Sequence, residues 1–118
     1  MNRFTVLGLA ALVAAGVAAC AGDPGDEMAQ AACRGYAASP PDRTTVDERA
    51  KRAGEANESY GSLQRDMDDA WSRMDAMAAA HNSGGQVSAQ ELNAYFAADR
   101  KVRADCADAG AELGPLKP

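Results

Sequence analysis

Apolar residues fill the start of the chain and afterwards recur at helical intervals. Residues 4–19 are sixteen positions without a charged side chain, and they follow the basic residue Arg3 directly. A short basic segment followed by an apolar run is the pattern of an export signal. The run is shorter than the roughly 20 residues that a membrane-spanning helix needs, and Gly8 and Gly16 interrupt it. We therefore expect residues 1–19 to be a signal peptide rather than a permanent membrane span.

Helical periodicity in the remaining chain predicts an all-α fold class: a small helical bundle, or a helical hairpin with an additional N-terminal helix. The first helix is expected over residues 27–38, where the sequence Ser39-Pro40-Pro41 ends it. The expected organisation is a tether over residues 20–26, a helical domain over residues 27–113 and a flexible tail over residues 114–118.

Two short motifs predict where the longer helices start. Thr45 and Glu48 are spaced as a capping box at the start of a second helix, and Ser88 and Glu91 as a capping box at the start of a third. Apolar residues follow each box at spacings of three and four. In the second helix they are Val46, Ala50, Ala53, Tyr60, Leu63, Met67, Ala70, Met74 and Met77, and in the third Leu92, Tyr95, Phe96, Val102, Cys106, Ala109 and Leu113.

The apolar run at the N-terminus ends in a motif with a specific chemistry. Val17-Ala18-Ala19-Cys20 is an aliphatic residue, two small residues and a cysteine, and it resembles the lipobox of bacterial lipoproteins. The resemblance implies that residues 1–19 are removed and that Cys20 carries a covalent diacylglycerol and an N-acyl lipid, with no other cofactor. Two or three acyl chains, at about 0.8 kcal/mol per buried methylene, anchor a protein firmly. The implied location is the extracytoplasmic side of the cell membrane, or the outer membrane if the organism has one. An ordinary secreted protein is the alternative.

Cys33 and Cys106 are expected to form a structural disulfide. Two cysteines remain in an oxidising exported compartment once the third carries lipid. Two buried free thiols are the alternative, whereas a metal pair is disfavoured because no matching ligands cluster nearby. If residues 45–82 formed one straight helix, the cysteines would lie about 20 Å apart along the bundle, too far for a disulfide. We favour a break near Gly54 or Gly61 over a first helix that does not pack antiparallel to the second.

The charge balance limits the expected partners. Without the basic residue of the signal peptide, 11 basic and 17 acidic residues remain. This acidity argues against nucleic acid, and against docking on anionic lipid through a basic patch. The expected partners are the membrane, through the lipid anchor, and a protein of the envelope. No small-molecule substrate is evident.

Residues 80–91 resemble a degenerate EF-hand calcium loop. Asn82, Ser88 and Glu91 fall at its third, ninth and twelfth positions, and the resemblance implies that they are calcium ligands. The first and fifth positions lack side-chain oxygens, so two ligands of the family pattern are missing. A decayed EF-hand and a plain glycine turn between two helices are the alternatives.

No combination of residues predicts catalysis, and no catalytic residue is assigned. His81 is the only histidine and is expected on the surface or in the seam between helices. Asp66, Asp68, Asp69 and Asp75 are expected on a solvated helix face. We therefore expect a non-enzymatic envelope lipoprotein with a binding or accessory role, with a calcium-responsive module as the alternative. Exposed apolar surface on the helical hairpin would favour partner binding.

Overall fold

The computed structural model of the protein describes residues 24–114, and these residues form helices without any β-strand. The elements are α1 (Pro24–Ala37), α2 (Arg43–Ala56), a 3-10 helix (Glu58–Tyr60), α3 (Leu63–Asn82) and α4 (Ala89–Asp108). The predicted all-α fold class is confirmed: the chain forms a small helical bundle that one disulfide links. The predicted signal peptide and most of the predicted tail lie outside the described residues.

The four helices run alternately up and down as two hairpins. α1 packs along α2, and α3 packs along α4. At one end of the bundle, Gln30 on α1 donates through Nε2 to the carbonyl of Ala109, just after α4, at 2.8 Å. We call this end the root, because α3 also begins there. Near the other end of α1, the ring of Tyr36 lies 5.6 Å from that of Trp71, in the middle of α3.

The core is built largely from small residues. Its members are Ala29, Ala32, Cys33, Tyr36, Val46, Ala50, Ala53, Leu63, Met67, Ala70, Trp71, Ala98, Val102, Cys106 and Ala109. The seven alanines among them let the helices approach closely but bury little apolar area each. α1 and α2 approach closely at Gly35, where an added Cβ would lie 2.5 Å from Cγ2 of Val46. Such a core leaves much of the stability to be supplied by the disulfide.

The helix starts match the prediction at α4 and differ from it at α1 and α2. α1 begins at Pro24, inside the predicted tether, because proline needs no N–H partner in a first helical turn. The predicted capping box of Thr45 and Glu48 is wrong. Asp42 is the N-cap of α2, and its carboxylate accepts from the N–H of Thr45 at 3.3 Å and from its hydroxyl at 2.8 Å. A carboxylate three residues earlier thus satisfies the free N–H and moves the helix start to Arg43.

The predicted break in the second helix is confirmed. α2 ends at Ala56, the backbone of Asn57 is extended, and α3 begins at Leu63. The Asn57 side chain accepts from the N–H of Ser59 at 3.0 Å and so starts the 3-10 turn. Because the chain reverses here, α1 and α2 lie against one half of the α3–α4 hairpin.

The break allows the predicted disulfide to form. Cys33 on α1 and Cys106 on α4 are bonded, with their α-carbons 5.8 Å apart and both residues fully buried. α4 ends at Asp108, short of the predicted limit, because Gly110 takes a left-handed conformation (φ 90°) that terminates helices. Leu113 still packs against the core, as predicted.

Candidate functional site

The predicted lipidation site, Cys20, lies outside the described residues. The first residue that the structure describes, Pro24, follows Cys20 by four positions and is the first residue of α1. The first turn of α1 lies at the root, where the hydroxyl of Tyr60 donates to the carboxylate of Asp26. In the described part of the chain, none of the helices combines the length and the apolar character needed to cross a membrane.

The three candidate calcium ligands lie around the turn between α3 and α4. Asn82 is the last residue of α3, and Ser88 is the N-cap of α4. Oγ of Ser88 accepts from the N–H of Glu91 at 3.0 Å, and the Glu91 carboxylate accepts from the N–H of Ser88 at 3.3 Å. The predicted capping box is therefore confirmed, and it engages both candidates on α4. Within residues 24–114, no group of three or more His, Cys, Asp or Glu side chains is placed to hold a metal ion.

A groove of about 660 Å³ opens where the turn between α1 and α2 meets the α3–α4 hairpin. It is lined by three aromatic side chains, two prolines and two arginines: Tyr36, Trp71, Tyr95, Pro40, Pro41, Arg43 and Arg103. The Arg43 guanidinium lies 5.3 Å from the centre of the Trp71 ring, and its Nη1 donates to the carboxylate of Asp75 at 2.9 Å. The groove thus combines apolar walls with an arginine that is already paired within the protein.

A buried carboxylate at this groove links α1 to α4. Asp99 is 2 % exposed, and its two oxygens accept from the hydroxyl of Tyr36 and from Nε of Arg103, each at 2.6 Å. Burial, reinforced by the bond to Asp99, raises the pKa of Tyr36 well above its ordinary value, so the hydroxyl stays a donor. Sequence reasoning missed this network. The available signal was the spacing of four between Asp99 and Arg103, which suits an ion pair on one helix.

A pair of carboxylates, Asp66 on α3 and Asp105 on α4, lies nearer the root. The prediction that Asp66 is solvated is wrong, since 15 % of its side chain is exposed. It stands at the edge of the buried stripe, three residues after Leu63. Oδ2 of Asp105 is buried and meets no donor. Burial is the largest cause that raises the pKa of Asp105, and it brings the pKa to about 7 together with a hydrogen bond to Asp66 and the repulsion between the two carboxylates. Asp68 and Asp75 are exposed, as predicted.

Asp105→Asn is expected to stabilise the protein at pH 8 and to remove most of its loss of stability between pH 5 and pH 8. The folded pKa of Asp105, about 7, exceeds its ordinary value of 3.8. Between pH 3.8 and about pH 7, the Asp105 carboxyl is therefore protonated in the folded state and ionised in the unfolded state. The wild type loses stability as the pH rises through this range, and the loss is complete above the folded pKa of about 7. Because water partly screens the repulsion between Asp66 and Asp105, we expect Asp105→Asn to raise the free energy of unfolding by about 1 to 2 kcal/mol at pH 8.

Urea unfolding at pH 5 and at pH 8 measures this effect. Glu112→Gln, which removes an exposed acidic side chain just after α4, is the matched control and should leave the pH dependence unchanged. A wild-type protein that is as stable at pH 8 as at pH 5 would contradict a raised pKa of Asp105 in the folded state.

One half of the α3–α4 hairpin extends beyond α1 and α2. The buried residues of α3 end at Trp71, and those of α4 begin at Ala98. We call residues 76–98, which run from the uncovered end of α3 through the turn to buried Ala98, the tip. Leu92 and Phe96 on the tip are 41 % and 36 % exposed, respectively, and are the large hydrophobic residues of the described chain that solvent reaches most. The exposed apolar surface that favours partner binding is therefore present.

The chain has no match among family models, curated proteins or solved structures.

Proposed function

We propose that this protein is a membrane-anchored envelope lipoprotein with a non-enzymatic role, and that it binds a protein partner through its tip. The observation that carries the proposal is the distribution of charge. Residues 76–98 contain one charged side chain, Glu91, whereas the other described residues contain ten basic and fifteen acidic side chains. The centres of protein interfaces are depleted in charge and enriched in methionine and aromatic residues. The tip shares the depletion in charge, and Met77, Tyr95 and Phe96 are residues of the enriched kinds.

The position of the tip fits a protein that is anchored through Cys20. That cysteine precedes α1 by a few residues, and the first turn of α1 lies at the root. α3 has 20 residues and runs from the root toward the tip. At 1.5 Å per residue, this helix extends about 30 Å. A lipid on Cys20 would therefore leave the tip at the end of the bundle opposite to the anchor, where it can meet other proteins of the envelope.

The groove supports a non-enzymatic role. Both oxygens of Asp99 accept hydrogen bonds, so this carboxylate is not available as a general base. The Tyr36 hydroxyl stays protonated at neutral pH, because burial raises its pKa. Arg43 is paired with Asp75. The polar groups of the groove therefore serve the packing of the helices.

The anchor is tested by the intact mass of the full chain after extraction from the membranes of a producing bacterium. We expect a product that begins at Cys20 and carries the mass of a diacylglyceryl group and an acyl chain. Cys20→Ser should retain residues 1–19 and gain no lipid, and Cys33→Ser is the control that should still be lipidated. A wild-type product that retains residues 1–19 without lipid would overturn the anchor.

Binding through the tip is tested by photo-crosslinking in the same membranes. p-Benzoylphenylalanine in place of Phe96 should give a crosslinked product on irradiation, since this position lies on the exposed apolar surface. The same amino acid in place of Lys101, an exposed position lower on α4, is the control and should give none. If no product forms from position 96, the tip does not bind a protein.

A further inference from the structure

The tip continues the apolar stripes of α3 and α4 beyond the helices that cover them. On α4, buried Val102 and Ala98 are followed toward the tip by Tyr95 and Leu92, at spacings of four, three and three. These spacings keep the four residues on one helix face. The cover ends near the first residue of α2, Arg43, whose Nη2 lies 3.9 Å from Sδ of Met74 on α3.

On α3, the stripe continues from Trp71 through Met74 to Met77. The two helices of the tip thus present a shared face that α1 and α2 cover at the root and leave open beyond Met74. In a four-helix bundle, a hairpin with one apolar face is covered by a second hairpin. The open face is therefore of the kind that two further helices would cover.

We infer that the partner of the tip is a second copy of this chain, so that two tips pack together as four helices. This inference rests on the proposed function. A symmetric pair supplies the missing hairpin, because the same patch on each copy contacts the other around a twofold axis. Each copy then covers the face that α1 and α2 of the other copy leave open.

Charge favours a second copy at this surface. The one charged residue of the tip, Glu91, is held in its capping box, so two tips can meet with little repulsion. The rest of the described chain has fifteen acidic and ten basic side chains, which opposes contact between the bodies of two copies. Self-association is therefore directed to the tip.

The test uses two full-length chains with different affinity tags, produced together, with p-benzoylphenylalanine in place of Phe96. We expect a crosslinked product that carries both tags and has twice the mass of one chain. A product that contains one copy and a different polypeptide would overturn the inference that the partner is a second copy, and it would leave the proposed function standing. Failure to form any product would contradict both.

A charge on the open face provides a second measurement. Leu92→Glu, added to the crosslinking chain, should reduce the yield of the doubly tagged product by roughly tenfold or more, because it places a charge at the centre of the contact. Asn93→Glu adds the same charge at the next, exposed position and is the matched control that should retain the product. Circular dichroism should show equal helix content in the two variants. Equal yields from both would overturn the inference.

Discussion

Replacing Cys33 and Cys106 together with alanine is expected to lower the free energy of unfolding by about 4 kcal/mol. The bond joins residues 73 positions apart, so its removal restores a large conformational freedom to the unfolded chain. Small domains are typically stable by about 5 to 15 kcal/mol, and this core contains seven alanines. The double variant should therefore unfold at urea concentrations at which the wild type is still folded.

Urea unfolding of the wild type and the double variant, followed by circular dichroism, measures the loss. Reduction of the wild type should produce a similar loss and add about 2 Da to its mass, because each sulfur gains a hydrogen. Glu112→Gln, which leaves both the bond and Cys20 intact, is the control and should unfold at the same urea concentration as the wild type. An unchanged midpoint in the double variant would show that the disulfide does not stabilise the fold.

The architecture was predictable because distance constrains it. Cys33 and Cys106 cannot bond if residues 45–82 form one straight helix with the first helix antiparallel to it. The bond therefore favoured a break in that helix, and the structure places the break between Ala56 and Leu63. Helix starts were harder to predict, because several residues compete to satisfy the same N–H groups. At α2 the carboxylate of Asp42 is the N-cap in place of the predicted Thr45, and the helix begins earlier than the motif indicated.

The side-chain networks could not be read from periodicity in the same way. Asp66 and Asp99 follow a helical pattern of charges that would also suit a solvated face. Their burial depends on how α3 and α4 rotate against each other, which is set by packing between distant parts of the chain. The scarcity of charge over residues 76–98 was visible in the sequence, but apolar stripes look alike whether another helix covers them or not. The structure adds that α1 and α2 cover the α3–α4 hairpin only as far as about Met74, so the apolar residues of the tip are left exposed.

Asp99→Ala is expected to lower the free energy of unfolding by about 3 kcal/mol, which is the lower end of the cost of breaking a buried ion pair. The substitution removes the acceptor of the Tyr36 hydroxyl and the partner of the Arg103 guanidinium, both at 2.6 Å. Arg103 has 20 % of its side chain exposed and also donates to the carbonyl of Gly114 at 2.6 Å, so its charge is not left wholly without partners. This residual contact keeps the loss from reaching the upper end of the range.

Asp69→Ala is the matched control, because Asp69 and Arg73 form a pair with the same spacing of four on an exposed part of α3. Their side chains are 44 % and 46 % exposed, so the control should change the stability by about 0.5 kcal/mol or less. Urea unfolding compares the two variants, and the ultraviolet titration of tyrosine adds a specific readout. In Asp99→Ala the pKa of Tyr36 should fall toward its ordinary value of 10.0, because the bond to Asp99 and the repulsion from its charge are lost while part of the burial remains. Equal losses of stability from the two variants, with an unchanged tyrosine titration, would mean that the buried carboxylate does not hold α1 against α4.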